Sequence, residues 1–86
     1  MSQTVERAER GWAIHSGEDI GRAIAEIRRE MGLTQTEFAQ RIGLNRNYLA
    51  AIEAGRSGRL LELMLRVLRR SGAKVTITLE EPNGKA

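Results

Sequence analysis

Residues 35–53 read QTEFAQRIGLNRNYLAAIE, and this stretch decides the fold. Thr34 and Glu37 at its head form a capping-box pattern: the threonine side chain satisfies an orphan amide and the glutamate reaches back to the cap residue. They open a short helix from about Gln35 to Ile42, with Phe38, Ala39 and Ile42 facing inward. Gly43 breaks it, because glycine enters the left-handed region without a Cβ penalty. Leu44 is the apolar plug of the turn. Asn45 caps a second helix from about Arg46 to Ala54, with Leu49 and Ile52 on its inner side and Gly55 as its stop. A turn this tight does not allow an antiparallel pair, so the two helices are expected to cross steeply.

The second helix then presents Arg46, Asn47 and the pair Ala50 and Ala51 outward. Arginine and asparagine make bidentate contacts with guanine and adenine edges. Helix N-termini offer amides to phosphates. The pattern therefore points to double-stranded DNA as the partner, with amides and Gln35 on the backbone and Arg46 and Asn47 in the major groove. The competing reading is a helical protein-interaction module in which the basic face is incidental.

Extended to residues 32–55, the stretch resembles the Cro/C1-type (Xre) helix-turn-helix family. The resemblance is carried by Leu-Thr-Gln at 33–35, by Ala39 and Gly43, and by the closing Ile-Glu-Ala-Gly at 52–55. With the flanking helices it covers about residues 18–71. It implies that Gln35 contacts a phosphate, that Arg46, Asn47 and Ala51 occupy base-facing positions, and that Asn45 and Tyr48 lie near the DNA backbone. It also implies a structural ion pair between Arg28 and Glu53. The basic loop at 55–58 adds Arg56 as a candidate phosphate contact. The chain departs from the family at Ala50 and Ala51, where many members carry longer polar side chains. Alanine touches a thymine methyl but donates no hydrogen bond, so specificity leans on Arg46, Asn47 and DNA shape.

Upstream, Ser16 followed by Asp19 reads as a helix N-cap with an acid in the first turn. Ile20, Ala23, Ile24, Ile27 and Met31 then mark one face of a helix from about Glu18 to Met31, ended by Gly32. Downstream, Ser57 or Gly58 begins a helix to about Arg70, with Leu60, Leu61, Met64, Leu65 and Leu68 as its buried stripe and Ser71-Gly72 as its stop. From Ala73 to Glu81 the period changes to two, with Val75, Ile77 and Leu79 alternating with polar residues, which predicts a strand.

A lone strand leaves its amides and carbonyls unpaired, and a second copy is one relief for such an edge. Val75, Ile77 and Leu79 are then the dimerisation residues. The segment Gly11–Ser16, with Trp12 and Ile14 in alternation, is either a short strand at 11–15 or an extended arm. It either joins the same sheet or pairs with the C-terminal strand inside the monomer. The fold expected is mainly α: a four- or five-helix Cro/C1-type bundle at residues 17–72. An N-terminal arm at 1–16 precedes it, and a dimerisation strand at 73–81 and a flexible tail at 82–86 follow. The entry from Ser16 to Ile24 and the single C-terminal strand resemble the HipB-like antitoxins. That implies a homodimer on an inverted-repeat operator and a cognate toxin partner, a HipA-like kinase or another. A stand-alone or phage-type regulator without a toxin is the alternative.

Composition agrees with a small regulator. The chain has 86 residues and a net charge of +3. From Arg41 to Lys74 there are eight basic residues against two acids, Glu53 and Glu62, so positive charge is concentrated there. Without cysteine there is no disulfide or thiolate metal site, and the single histidine, His15, makes no metal site alone. No run approaches the ~20 apolar residues of a membrane span, and the first ten residues lack a secretory apolar core. The chain is therefore expected in the cytoplasm, at the nucleoid, without a cofactor. No nucleophile with a base, no carboxylate pair on an apolar background and no phosphate-binding glycine loop suggests an enzyme.

Overall fold

The structure is a computed structural model that describes residues 9–80. Its elements run β1 (Glu9–Ile14), α1 (Gly17–Glu30), α2 (Gln35–Ile42), α3 (Arg46–Glu53), α4 (Arg59–Arg70) and β2 (Val75–Glu80). The expected tail and the first eight residues of the expected arm lie outside the described residues. The mainly helical fold with a short C-terminal strand is the one the sequence implies.

The helix ends follow local chemistry. α1 closes in a Schellman arrangement: the Leu33 amide donates to the Arg28 carbonyl at 3.3 Å and the Gly32 amide to that of Arg29 at 2.9 Å. The capping box of α2 is complete, with the Glu37 amide 3.1 Å from Thr34 Oγ1 and the Thr34 amide 2.8 Å from Glu37 Oε1. Gly43 ends α2 at φ +73, a conformation that penalises any Cβ. At α1 the expected cap is only half present. Ser16 has the extended N-cap backbone, but its side chain makes no cap bond. The carboxylate of Glu62, from α4, accepts the Gly17 amide at 3.0 Å instead. It also accepts from the Ser57 hydroxyl, and these two bonds hold its pKa below the usual 4.5.

Within the chain, the C-terminal strand has a partner. β1 and β2 form an antiparallel two-stranded sheet, with Trp12 opposite Ile77 and Ile14 opposite Val75. β1 is thus a strand, and it starts two residues earlier than expected. Its inner side is keyed to α1. Trp12 Nε1 donates to Glu26 Oε1 at 2.9 Å, and Arg10 pairs with Glu30 while lying 5.7 Å from the centre of the Trp12 ring. The match is geometric: two strand residues advance about 6.6 Å, and four helix residues about 6 Å.

The buried core is Ile14, Ala23, Ala25, Ala39, Leu49 and Leu65. Half of these are alanines, so the helices approach closely but bury little apolar volume, as expected for so short a chain. Several residues expected inside are not. Ile42 is 50% exposed, and Met31 is exposed as well. On α4, Leu61 is half-buried and Leu65 buried, but Leu60, Met64 and Leu68 face solvent. The reason is that, among the described residues, α4 packs on the side of Leu61 and Leu65, against β2 and the start of α1. The other part of its apolar stripe meets no described element of the chain.

Candidate nucleic-acid interface

The candidate site is the pair α2–α3 and the ends that brace it. Asn45 Oδ1 accepts from the amides of Asn47 at 2.8 Å and Tyr48 at 3.3 Å, so the asparagine fixes the first turn of α3. That turn carries no acidic residue, and its positive end faces outward unopposed. Arg46, Asn47 and Tyr48 are exposed. Arg46 Nη1 lies 3.3 Å from Asn47 Oδ1, which draws the two expected base-reading side chains together. Among the described residues the Asn45 side-chain NH₂ has no partner, while its oxygen serves the cap.

The far end of α3 is anchored by Glu53. Arg28 Nε donates to Glu53 Oε2 at 2.8 Å and Arg28 Nη2 to Oε1 at 3.0 Å, a bidentate pair in which the side chains are 12% and 6% exposed. Arg28 Nη1 also donates to the Leu33 carbonyl at 2.8 Å, which ties the turn before α2 into the same network. Burial alone raises the pKa of Glu53, but the hydrogen bonds from Arg28 and Gln35 outweigh it and hold the carboxyl below its usual 4.5.

Gln35, expected on a phosphate, sits half-buried at the start of α2 with Nε2 donating to Glu53 Oε1 at 2.9 Å. An amide nitrogen has two hydrogens, so Glu53 orients this group while leaving one donor for an outside acceptor. Ala51, expected to face a base, is half-buried along with Ala50, which limits its methyl to a partial contact. Arg56 is exposed just after α3, and its amide donates to the Ala51 carbonyl at 3.1 Å. Val75, Ile77 and Leu79 lie away from this face and are half-buried on the side of the sheet shared with Trp12 and Ile14.

Two positioning residues escaped the sequence reading. Gly21, buried in the middle of α1, faces the C-terminal end of α3 at Ile52–Gly55. Its signal was a glycine inside a helical period, which often marks a close approach. Glu62 caps α1 from 45 residues away, and no local pattern announces that. Among the described residues no group of histidine, aspartate and glutamate is placed to hold a metal ion. No described helix is long and apolar enough to cross a membrane.

The arrangement defines a protein built on two short helices in a glycine turn, with a polar, basic helix start pointing outward. A family model described as helix-turn-helix matches residues 24–75, and the chain belongs to that family. An uncharacterized HTH-type transcriptional regulator of Methanothermobacter thermautotrophicus is 45% identical over 49 residues, covering 57% of this chain and 71% of the relative. The uncharacterized HTH-type transcriptional regulator y4dJ of Sinorhizobium fredii is 35% identical over 69 residues, covering 76% of this chain and 90% of the relative. No solved structure matches the chain.

Proposed function

We propose that this protein is a sequence-specific DNA-binding transcriptional repressor that acts in the cytoplasm, at the nucleoid, as a homodimer on an inverted-repeat operator. One observation carries the reading: Arg46 and Asn47 stand exposed at the start of a helix whose other end is locked by Arg28, Glu53 and Gln35. That is a rigid support for groups that read base edges, next to a donor oriented for phosphate. Family membership and the two relatives named as transcriptional regulators support it.

The test is a titration against the DNA upstream of its own gene and a scrambled duplex, at two salt concentrations. Tight binding to the first alone, weakened by salt, is expected. Equal weak binding to both would remove the repressor reading and favour a protein-interaction module. Arg46→Ala should weaken operator binding by about 1–3 kcal/mol and relax the preference at one base pair. Gln35→Ala should weaken all sequences alike, because a phosphate contact carries no base information. Unchanged operator affinity in Arg46→Ala would take α3 out of the groove.

The resemblance of the chain's ends to HipB-like antitoxins extends the proposal. The protein would be the antitoxin of a type II toxin–antitoxin pair, holding a toxin and repressing their shared promoter. Co-purification with the product of a kinase-like or nuclease-like neighbouring gene tests this. Without such a neighbour, the repressor stands alone.

A further inference from the structure

We infer that the outer stripe of α4, formed by Leu60, Leu63, Met64, Val67 and Leu68, is the surface on which a second copy of this chain docks; the inference rests on the dimer reading above. These residues sit at i, i+3, i+4, i+7 and i+8, one continuous face of the helix. Each is between 41% and 68% exposed. Leu63, Met64, Val67 and Leu68 line a shallow, almost wholly apolar groove by themselves. The neighbouring flank of the helix is already used, by Leu61 and Leu65. The apolar surface of α4 is therefore wider than the described residues of its own chain cover.

The area argues for a macromolecular cover. The five side chains form one contiguous exposed apolar patch, and on a monomeric protein the largest such patch, typically ~300–600 Å², often marks an interaction site. Two copies face to face bury the patch on both sides at once, which moves the contact toward the ~1,200 Å² where specific interfaces begin. The sheet is no substitute. Val75, Ile77 and Leu79 share the inner side with Trp12 and Ile14. The outer side presents Gly11, Ala13, Thr76 and Thr78. A dimer made on the strand alone would gain main-chain hydrogen bonds but little apolar burial.

A second copy is the occupant that the chain's own needs select. A stripe of leucine, methionine and valine without a polar group is complementary to itself, the condition for an isologous two-fold contact. The core it would enlarge is small, with three alanines among six residues. Arg59, Arg66 and Arg70 run along one border of the stripe, and the acid on α4, Glu62, is turned inward to Gly17 and Ser57. The contact is thus apolar at its centre and cationic at its rim.

The experiment is sedimentation equilibrium of the full chain, wild type beside Leu63→Glu and Val67→Glu, with circular dichroism on each. The expected result is a wild-type dimer and a dimer dissociation constant raised at least tenfold in both variants, with helix content kept. Because the chain lacks cysteine, the single variants Leu63→Cys, Val67→Cys and, as a control on the exposed side of α2, Thr36→Cys provide a second measurement. Interchain disulfides should form at 63 or 67 and not at 36. If the glutamate variants lose their helices, these disulfides decide the question. Dimeric, folded glutamate variants, or equal crosslinking at all three positions, would overturn the α4 interface and leave the dimer reading standing. A wild type that stays monomeric throughout the concentration range would overturn both.

Discussion

Gly21→Ala is expected to lower the unfolding free energy by about 3 kcal/mol, the upper end for forcing atoms into a packed interior. A methyl group at this position would overlap the Ile52 carbonyl oxygen and come within 3.2 Å of the Glu53 oxygen and the Gly55 nitrogen. All three obstacles are backbone, so no rotamer change relieves them. α1 would have to move off the end of α3, and Arg28 and Glu53, which bridge the same two helices, would separate with it. Urea unfolding at 25 °C checks the magnitude, and a loss below 1 kcal/mol would mean that the two helices pack less closely than described. The expectation runs against intrinsic propensity, which alone favours alanine over glycine in a helix by up to ~1 kcal/mol.

Glu53→Ala should cost a further class of energy, about 3–5 kcal/mol, the usual penalty for stripping one partner from a buried ion pair. The substitution leaves the Arg28 guanidinium, 12% exposed, without its carboxylate, and takes the acceptor from Gln35. The same residue sets an acid limit. Its folded pKa lies below its usual 4.5, so the unfolded chain binds the proton more readily than the folded one. The stabilisation it provides is complete above about pH 4.5 and falls as pH drops through the lower, folded value. Wild type should therefore lose stability in that window, while Glu53→Gln should be less stable at neutral pH and show a shallower acid decline. Parallel pH profiles for the two proteins would assign the acid limb to other carboxylates, such as Glu62, whose pKa is also lowered.

What was legible in the sequence was whatever depends on neighbours along the chain. Thr34, Glu37, Gly43 and Asn45 dictate their turns through bonds three residues long or less, and α2 was readable to the residue for that reason. The exposure of Arg46 and Asn47 was legible because it follows from their place at a helix start. What failed depends on which surfaces meet. Periodicity shows that Leu60, Met64 and Leu68 share a face with Leu65, but it cannot say that the described elements cover Leu61 and Leu65 and leave the others exposed. Ile42 and Met31 were misjudged in the same way: each ends a helix, beyond the reach of the packing that buries the preceding turns. The strand partner stayed open because Trp12 and Ile77 are far apart in sequence, and both the arm and a second copy offer a free edge.

The β1–β2 ladder also bears on the order of assembly. Its nearest matched pair joins Ile14 to Val75, so the ladder closes almost the whole described chain into one loop. The turns at 34–45, by contrast, need only residues already beside one another. Closing a long loop costs entropy before any contact repays it, and topologies rich in such closures fold slowly. The sheet should therefore be the last part to form and the first to open. Trp12, the chain's single tryptophan, lies on that sheet with its indole held by Glu26. Its fluorescence is then a clock for the final step, and it should lag behind the far-ultraviolet signal of the helices during refolding.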